Sequence, residues 1–244
     1  MEKITQLCAD IAKLWAKYGG SYLTGMRNTL VLALVATAIG CVIGFVCGIL
    51  NTIPCTDRDP LPKRILLRLI RIIVRVYVEV FRGTPMVLQA VFIYYGLPYF
   101  TDNAVKFTDI WVAAILVVSI NTGAYMAESV RGGIISIDPG QTEGAKAIGM
   151  NHWQTMLHVI FPQALRYILP AIGNELIALL KETAVAGYVA VVDLTRAGNL
   201  VRNNTYDAVN PLLIVAATYL ILVVALTKLL WVFERRLSNR DHRK

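Results

Sequence analysis

Charged residues are scarce in this chain: they make up 16% of its 244 residues, while 56% are hydrophobic. A soluble domain carries about 25% charged residues. Water cannot solvate so apolar a surface, and a bilayer is its natural solvent. Cysteine and histidine are also few. Cys8, Cys41, Cys47 and Cys55 lack metal-ligand spacing, and Cys41 and Cys47 lie within an apolar run, where a thiol behaves as a small buried hydrophobe. His152 and His158 have no ligand companions and read as contact or interface residues. The absence of G-x-x-x-x-G-K-[ST] excludes a phosphate-cradling loop within the sequence. No cleavable signal peptide is expected, because the first 20 residues are mixed and carry Glu2, Lys3, Asp10, Lys13 and Lys17. Asn203-Asn204-Thr205 fits a glycosylation sequon, a pattern too short to be specific.

The charge that is present is unbalanced, with a formal net of +8. Its placement argues against a nucleic-acid surface. Basic residues gather at the ends of apolar runs, at Lys63–Arg75 and Arg235–Lys244, as cytoplasmic retention of positive loops requires.

A membrane-crossing helix needs about 20 mostly apolar residues. Five segments are expected to cross. Leu23–Leu50 is the first, with Gly40, Gly44 and Gly48 sharing a face that another helix can approach closely. Ile65–Pro98 is the second. Arg64, Arg68, Arg71 and Arg75 recur along one stripe of it, as on a surface-lying or snorkelling helix start. Glu79 and Arg82, three apart, are expected to pair, and Gly83-Thr84-Pro85 to interrupt the helix. Ile110–Ile135 is the third, carrying Asn121, Glu128 and Arg131; Met156–Leu180 is the fourth, expected to break at Pro162 and Pro170. A half-polar stretch over 181–205 precedes the fifth, Asn210–Phe233. The fold class predicted is all-α, an integral membrane bundle of five transmembrane helices. Positive charge favours an external N-terminus and a cytosolic 51–63, 136–155 and C-terminal tail.

The segment between the third and fourth spans is polar and rich in small residues. Asp138-Pro139-Gly140 marks a helix start, and helix formers follow. A short helix across the cytosolic face results. Gly144, Ala145, Ala147 and Gly149 give it a bare surface that a second protein can cover, although the same spacing also suits a surface helix with no partner.

"EGAKAIGM" with the downstream "ILP" (168–170) resembles the EAA loop of permease subunits of ATP-binding-cassette importers. Glu143, Ala145 and Gly149 fill the pattern, with Gly144 in place of its first alanine. "RGTPMVLQAVFIYYGLP" (82–98), "AYMAESVRGGIISIDPGQTEGAKA" (124–147) and "NELIALLKETAV" (174–185) are similar to the polar amino-acid branch of that family, and the similarity covers about 21–235. The resemblance implies a transmembrane domain at 21–235, preceded by an N-terminal segment (1–20) and followed by a cytosolic basic tail (236–244). It implies that the loop at 136–155 is a coupling helix that docks on a cytosolic ATPase dimer through Glu143, Gly144, Ala145 and Gly149. The other implied partners are a second permease copy or paralogue and an extracytoplasmic binding protein. ATP and magnesium are then used by the ATPase, with no cofactor on this chain and no enzyme activity of its own. The implied location is the bacterial cytoplasmic membrane.

Ionisable groups inside spans are functional candidates. Glu175 and Glu182 are seven apart and share a helix face; Asn174 lies beside them, and Gln89 and Asn121 are polar groups of earlier spans. Such a pocket suits a cationic amino acid (arginine, lysine or histidine). Two alternatives stay open: Glu182 pairing with Lys181 or an arginine, and the same machinery serving cystine, glutamine or an opine. An ATP-independent secondary transporter would instead be expected to show an inverted repeat, and none is visible.

Overall fold

The computed structural model describes residues 2–56 and 59–241, without the side chains of 234 and 236–241, and all regular structure among them is helical. The basic tail expected at 236–244 falls almost wholly outside the described side chains. The helices are α1 (Glu2–Thr52), α2 (Leu61–Gly83), α3 (Met86–Phe100), α4 (Ile110–Ile135), α5 (Pro139–Ala147), α6 (His152–Thr155), α7 (Phe161–Glu182), α8 (Leu194–Thr205) and α9 (Asn210–Asp241). Among the described residues, α1, α4 and the Asn210–Phe233 part of α9 are long and apolar enough to cross a membrane by length and composition alone.

Two expectations change. Residues 1–20 are not a separate segment: α1 runs unbroken for 51 residues from Glu2, about 76 Å at 1.5 Å per residue. Pro170 does not break the fourth span, because α7 continues through it. One missing ladder bond is tolerated where neighbouring groups re-satisfy the backbone. Pro162 sits just after a π-helical turn, Met156–Ile160, which joins α6 to α7.

The expected interruption at Gly83-Thr84-Pro85 does form: α2 ends at Gly83, Thr84 is extended, and the helix restarts at Met86. Pro85 has no amide to offer the Phe81 carbonyl one turn back. The Asn121 side-chain amide donates to that carbonyl instead (3.0 Å), and the Thr84 hydroxyl donates to Val80 (2.7 Å).

The chain divides into two compact units. The first comprises Met1–Val35, Val87–Val117 and Leu176–Lys244. In it Tyr22, Leu194, Val201, Ile214 and Val215 form a core with Leu14 and Tyr18 packed against it. The half-polar stretch becomes a 3-10 turn, Thr183–Val189, followed by α8. Asp193 caps α8, accepting from the amides of Thr195 and Arg196 (3.0 Å each). Its carboxylate is fully buried, and Tyr219 donates to it at 3.4 Å. Burial pushes the Asp193 carboxyl above its ordinary range, against the opposing pull of those hydrogen bonds. Asn28 and Thr29 of α1 tie down the same loop, Asn28 donating to the Val192 carbonyl (2.8 Å) and Thr29 accepting from the Leu194 amide (3.1 Å).

The second unit comprises Ala36–Met86 and Val118–Glu175. The glycine stripe predicted on α1 packs as expected. A Cβ added to Gly40, Gly44 or Gly48 would come within 2.8 Å of Thr122, 2.2 Å of Met126 and 2.6 Å of Val130, respectively. The partners advance by four as the glycines do, so α1 and α4 run parallel here. Small residues let the two backbones touch, which drives helix association where lipid is as apolar as the helices themselves. Tyr77 of α2 donates to the Ile120 carbonyl of α4 (2.6 Å). A second core joins Val130, Ile134 and Ile137 to Met156, Ile160, Ala164 and Ile168.

Candidate functional site: the segment from Asp138 to His158

Asp138 starts α5 as its composition predicts, its carboxylate accepting from the Gly140 amide at 2.6 Å. The helix ends in a Schellman motif: the Met150 amide donates to Ala145 (3.1 Å) and the Gly149 amide to Lys146 (3.0 Å). Gly149 takes φ +85°, the left-handed conformation such an ending requires, and a Cβ there would meet nothing within 4 Å. Gly149 is therefore the helix stop first. A capping box follows at once, Asn151 and Gln154 exchanging backbone and side-chain bonds of 2.9 Å each to start α6.

The expected bare surface is only partly right. Ala145 is buried at 5% exposure, so it seats the helix on its own unit. The open side carries Gly144, where an added Cβ meets nothing, together with exposed Glu143, Ala147 and Gly149. Sequence reasoning missed Ile148, 80% exposed, with Trp153 and Leu157 also exposed nearby. The signal was available, since an isoleucine between a helix end and a left-handed glycine has no core to enter. Gln163 donates to Gln141 (3.3 Å) and links α7 to α5.

His152 lies beside this helix. Burial, and after it the charges of Lys146 and Lys63, hold its imidazolium below the usual histidine range. Among the described residues the ion pair formed nearby is Glu128 with Arg131, not the expected Glu79 with Arg82; Arg82 lies over the Tyr125 ring, 5.3 Å from its centre. Glu128 and Arg131 stand one helical turn apart on α4 and bond through two guanidinium nitrogens, Nε and Nη2.

The candidate substrate residues are distributed between the units. Asn121 is buried and holds Phe81; Glu175 is half-buried and Asn174 exposed, both on α7. In the first unit Gln89 is buried in α3 and Glu182 exposed at the end of α7. Because α7 is one continuous helix, Glu175 and Glu182 keep the two-turn spacing that puts them on one side. The His/Cys/Asp/Glu side chains among the described residues form no group fit to hold a metal.

Residues 64–239 match the family of binding-protein-dependent transport system inner membrane components. The chain is 35% identical over 215 residues to the glutamine transport system permease protein of Escherichia coli (strain K12), spanning 88% of this chain and 91% of that protein. It is 36% identical over 219 residues to the arginine transport system permease protein of Bacillus subtilis (strain 168), spanning 90% and 93%. A crystal structure of an amino acid ABC transporter with histidines is similar at TM-score 0.79 and 36% identity, covering 91% of this chain and 96% of that one.

Proposed function

This chain belongs to the family of binding-protein-dependent transport system inner membrane components, and we propose that it carries cationic amino acids inward across a bacterial cytoplasmic membrane. At the coarser level it is an amino acid ABC importer permease, an integral membrane subunit whose relatives leave ATP hydrolysis to a separate subunit. The charge of the substrate rests on one observation: α7 places Glu175 and Glu182 two turns apart on a single helix. Carboxylates along a span are functional candidates, and their negative charge favours a passing ammonium or guanidinium group over an acidic one. Asn174, Gln89 and Asn121 are the other residues proposed to meet substrate, Asn121 chiefly by positioning α2 through Phe81.

The proposed bundle has five crossings, with the N-terminus outside as the placement of positive charge favours. Parallel α1 and α4 support a return crossing between them, for which we propose 61–100 despite its break. Coupling to an ATPase dimer is supported by the exposed Ile148, Trp153 and Leu157 on a segment whose other side is seated in a core. Glu143, Gly144 and Gly149 lie on its outward side. A second permease, identical or paralogous, and a binding protein complete the proposed importer.

Uptake by vesicles containing the whole importer tests the substrate class. Replacing Glu175 and Glu182 together by glutamine keeps their volume and removes their charge. Arginine and lysine uptake should then fall at least tenfold relative to any neutral amino acid. The cationic assignment fails if the double variant imports them normally, or if the parent imports glutamine and neither base.

A further inference from the structure

Within the second unit lies a cavity of about 920 Å³, walled by α2, the end of α4, α5, α6 and the π-helical turn that follows it. This is the size of a small-molecule site, about 300–1,000 Å³, and far more than a bare ion fills. The wall carries five full cations, Arg71, Arg75, Arg82, Arg131 and Lys146, against the carboxylates of Glu79, Glu128 and Glu143. Two positive charges remain unbalanced. His152, also on the wall, is held below the usual histidine range by burial first and by the charges of Lys146 and Lys63 after it.

Two buried groups in this wall lack partners. Thr155 is 2% exposed, yet its hydroxyl bonds to nothing. Arg71 gives one terminal nitrogen to the Ile53 carbonyl, while its Nε–H is buried without an acceptor. Leaving such donors unsatisfied is costly; both atoms are closed off just behind the wall, so an acceptor entering the cavity satisfies them once the Arg71 and Thr155 side chains turn toward it. On its other face α2 exposes Leu66, Leu69, Ile72 and Ile73. That apolar face is free to meet lipid while Arg71 and Arg75 line the cavity behind it.

We propose that this cavity binds a phosphate-bearing anion, whose oxygens accept hydrogen bonds from Arg71, Arg75 and Thr155 and which touches α5 through Lys146. Two sources share the chemistry: the headgroup of an anionic phospholipid and a soluble phosphate compound. Either occupant links α2 to α5 and makes the cavity a place where the surroundings adjust how firmly that helix is held. The proposal concerns binding alone and does not depend on which amino acid is carried.

Binding is measured on the purified permease–ATPase complex with phosphatidylglycerol, phosphatidylcholine and pyrophosphate, for the parent and for Arg75→Gln and Thr155→Val. Phosphatidylglycerol should bind the parent; Arg75→Gln, which removes a charge, should weaken it about fivefold, and Thr155→Val, which removes only a hydroxyl, by less; phosphatidylcholine should not distinguish the proteins. If pyrophosphate, and not phosphatidylglycerol, separates parent from variants, the anion is soluble and the site stands. Equal affinities of parent and variants for both anions overturn the proposal. Should the variants fail to assemble, amide exchange in the parent decides. Protection of 139–147 should rise with one of the two anions and not with phosphatidylcholine, and no change with either anion overturns the site.

Discussion

Gly44 and Met126 are in backbone-to-backbone contact: a Cβ at position 44 would lie 2.2 Å from the Met126 Cβ, with backbone atoms of the same stretch at 2.8 Å and 2.9 Å. Neither helix has a flexible side-chain end there that can move aside. Gly44→Ala should therefore force α1 and α4 apart, at a cost typical of overpacking, about 1–3 kcal/mol. Gly20→Ala, where an added Cβ meets nothing within 4 Å, is the matched control. Thermal melting of the detergent-purified protein should drop for position 44 and stay level for position 20. Equal melting of the two variants would show that the close approach is not required.

Asn121 serves a carbonyl that Pro85 cannot serve. Asn121→Leu should destabilise the protein by about 1–3 kcal/mol, the cost of a buried group losing its partner. Adding Pro85→Ala supplies an amide with which α2 can extend to Phe81, and part of the loss should return. A double-mutant cycle on melting midpoints checks this, and strict additivity would contradict it.

Gly149 and Ile148 separate two roles of the coupling segment. Gly149→Ala meets a left-handed backbone that costs about 1–2 kcal/mol for an L-residue, whereas asparagine tolerates it. Uptake should fall with alanine and largely recover with Gly149→Asn. Ile148→Ser leaves the fold alone and should lower co-purification of the ATPase several-fold. If Ile148→Ser retains the ATPase fully, the exposed isoleucine does not dock.

Topology is checked by a single cysteine at position 141 in a background stripped of the four native cysteines. An impermeant thiol reagent should label it in inverted vesicles and not in intact cells. Labelling from outside would reverse the proposed orientation and remove α5 from reach of an ATPase.

His152 gives the segment a pH dependence. Its folded pKa lies below the ordinary value of about 6.5, so the unfolded segment binds the proton more readily. Its contribution is complete above the ordinary value and is lost as pH falls through the folded one. Amide protection around 139–158 should drop between pH 7.5 and 5.5 in the parent and change less in His152→Gln. A parent and variant with the same profile would assign the change elsewhere.

Local chemistry was legible in the sequence. Asp138-Pro139 starts a helix, Gly83-Thr84-Pro85 stops one, and glycines every four residues lay a flat stripe, because each depends on backbone geometry or spacing within a few residues. The helical, membrane-bound class followed from composition for the same reason. Facing was decided only by the tertiary structure. The sequence alone made Ala145 and Gly149 equivalent small residues; packing buried the first in its own unit, while the second ends the helix in a left-handed conformation with open space around it. Pro170 reads as a break, yet the helix runs through it, and Asp193 reads as one polar residue among many until α1, α8 and α9 enclose it. The cavity beside α5 was invisible for the same reason. Arg71, Arg75, Arg131, Lys146 and Thr155 come from four parts of the chain, and their shared field exists only once α2 and α4 have packed.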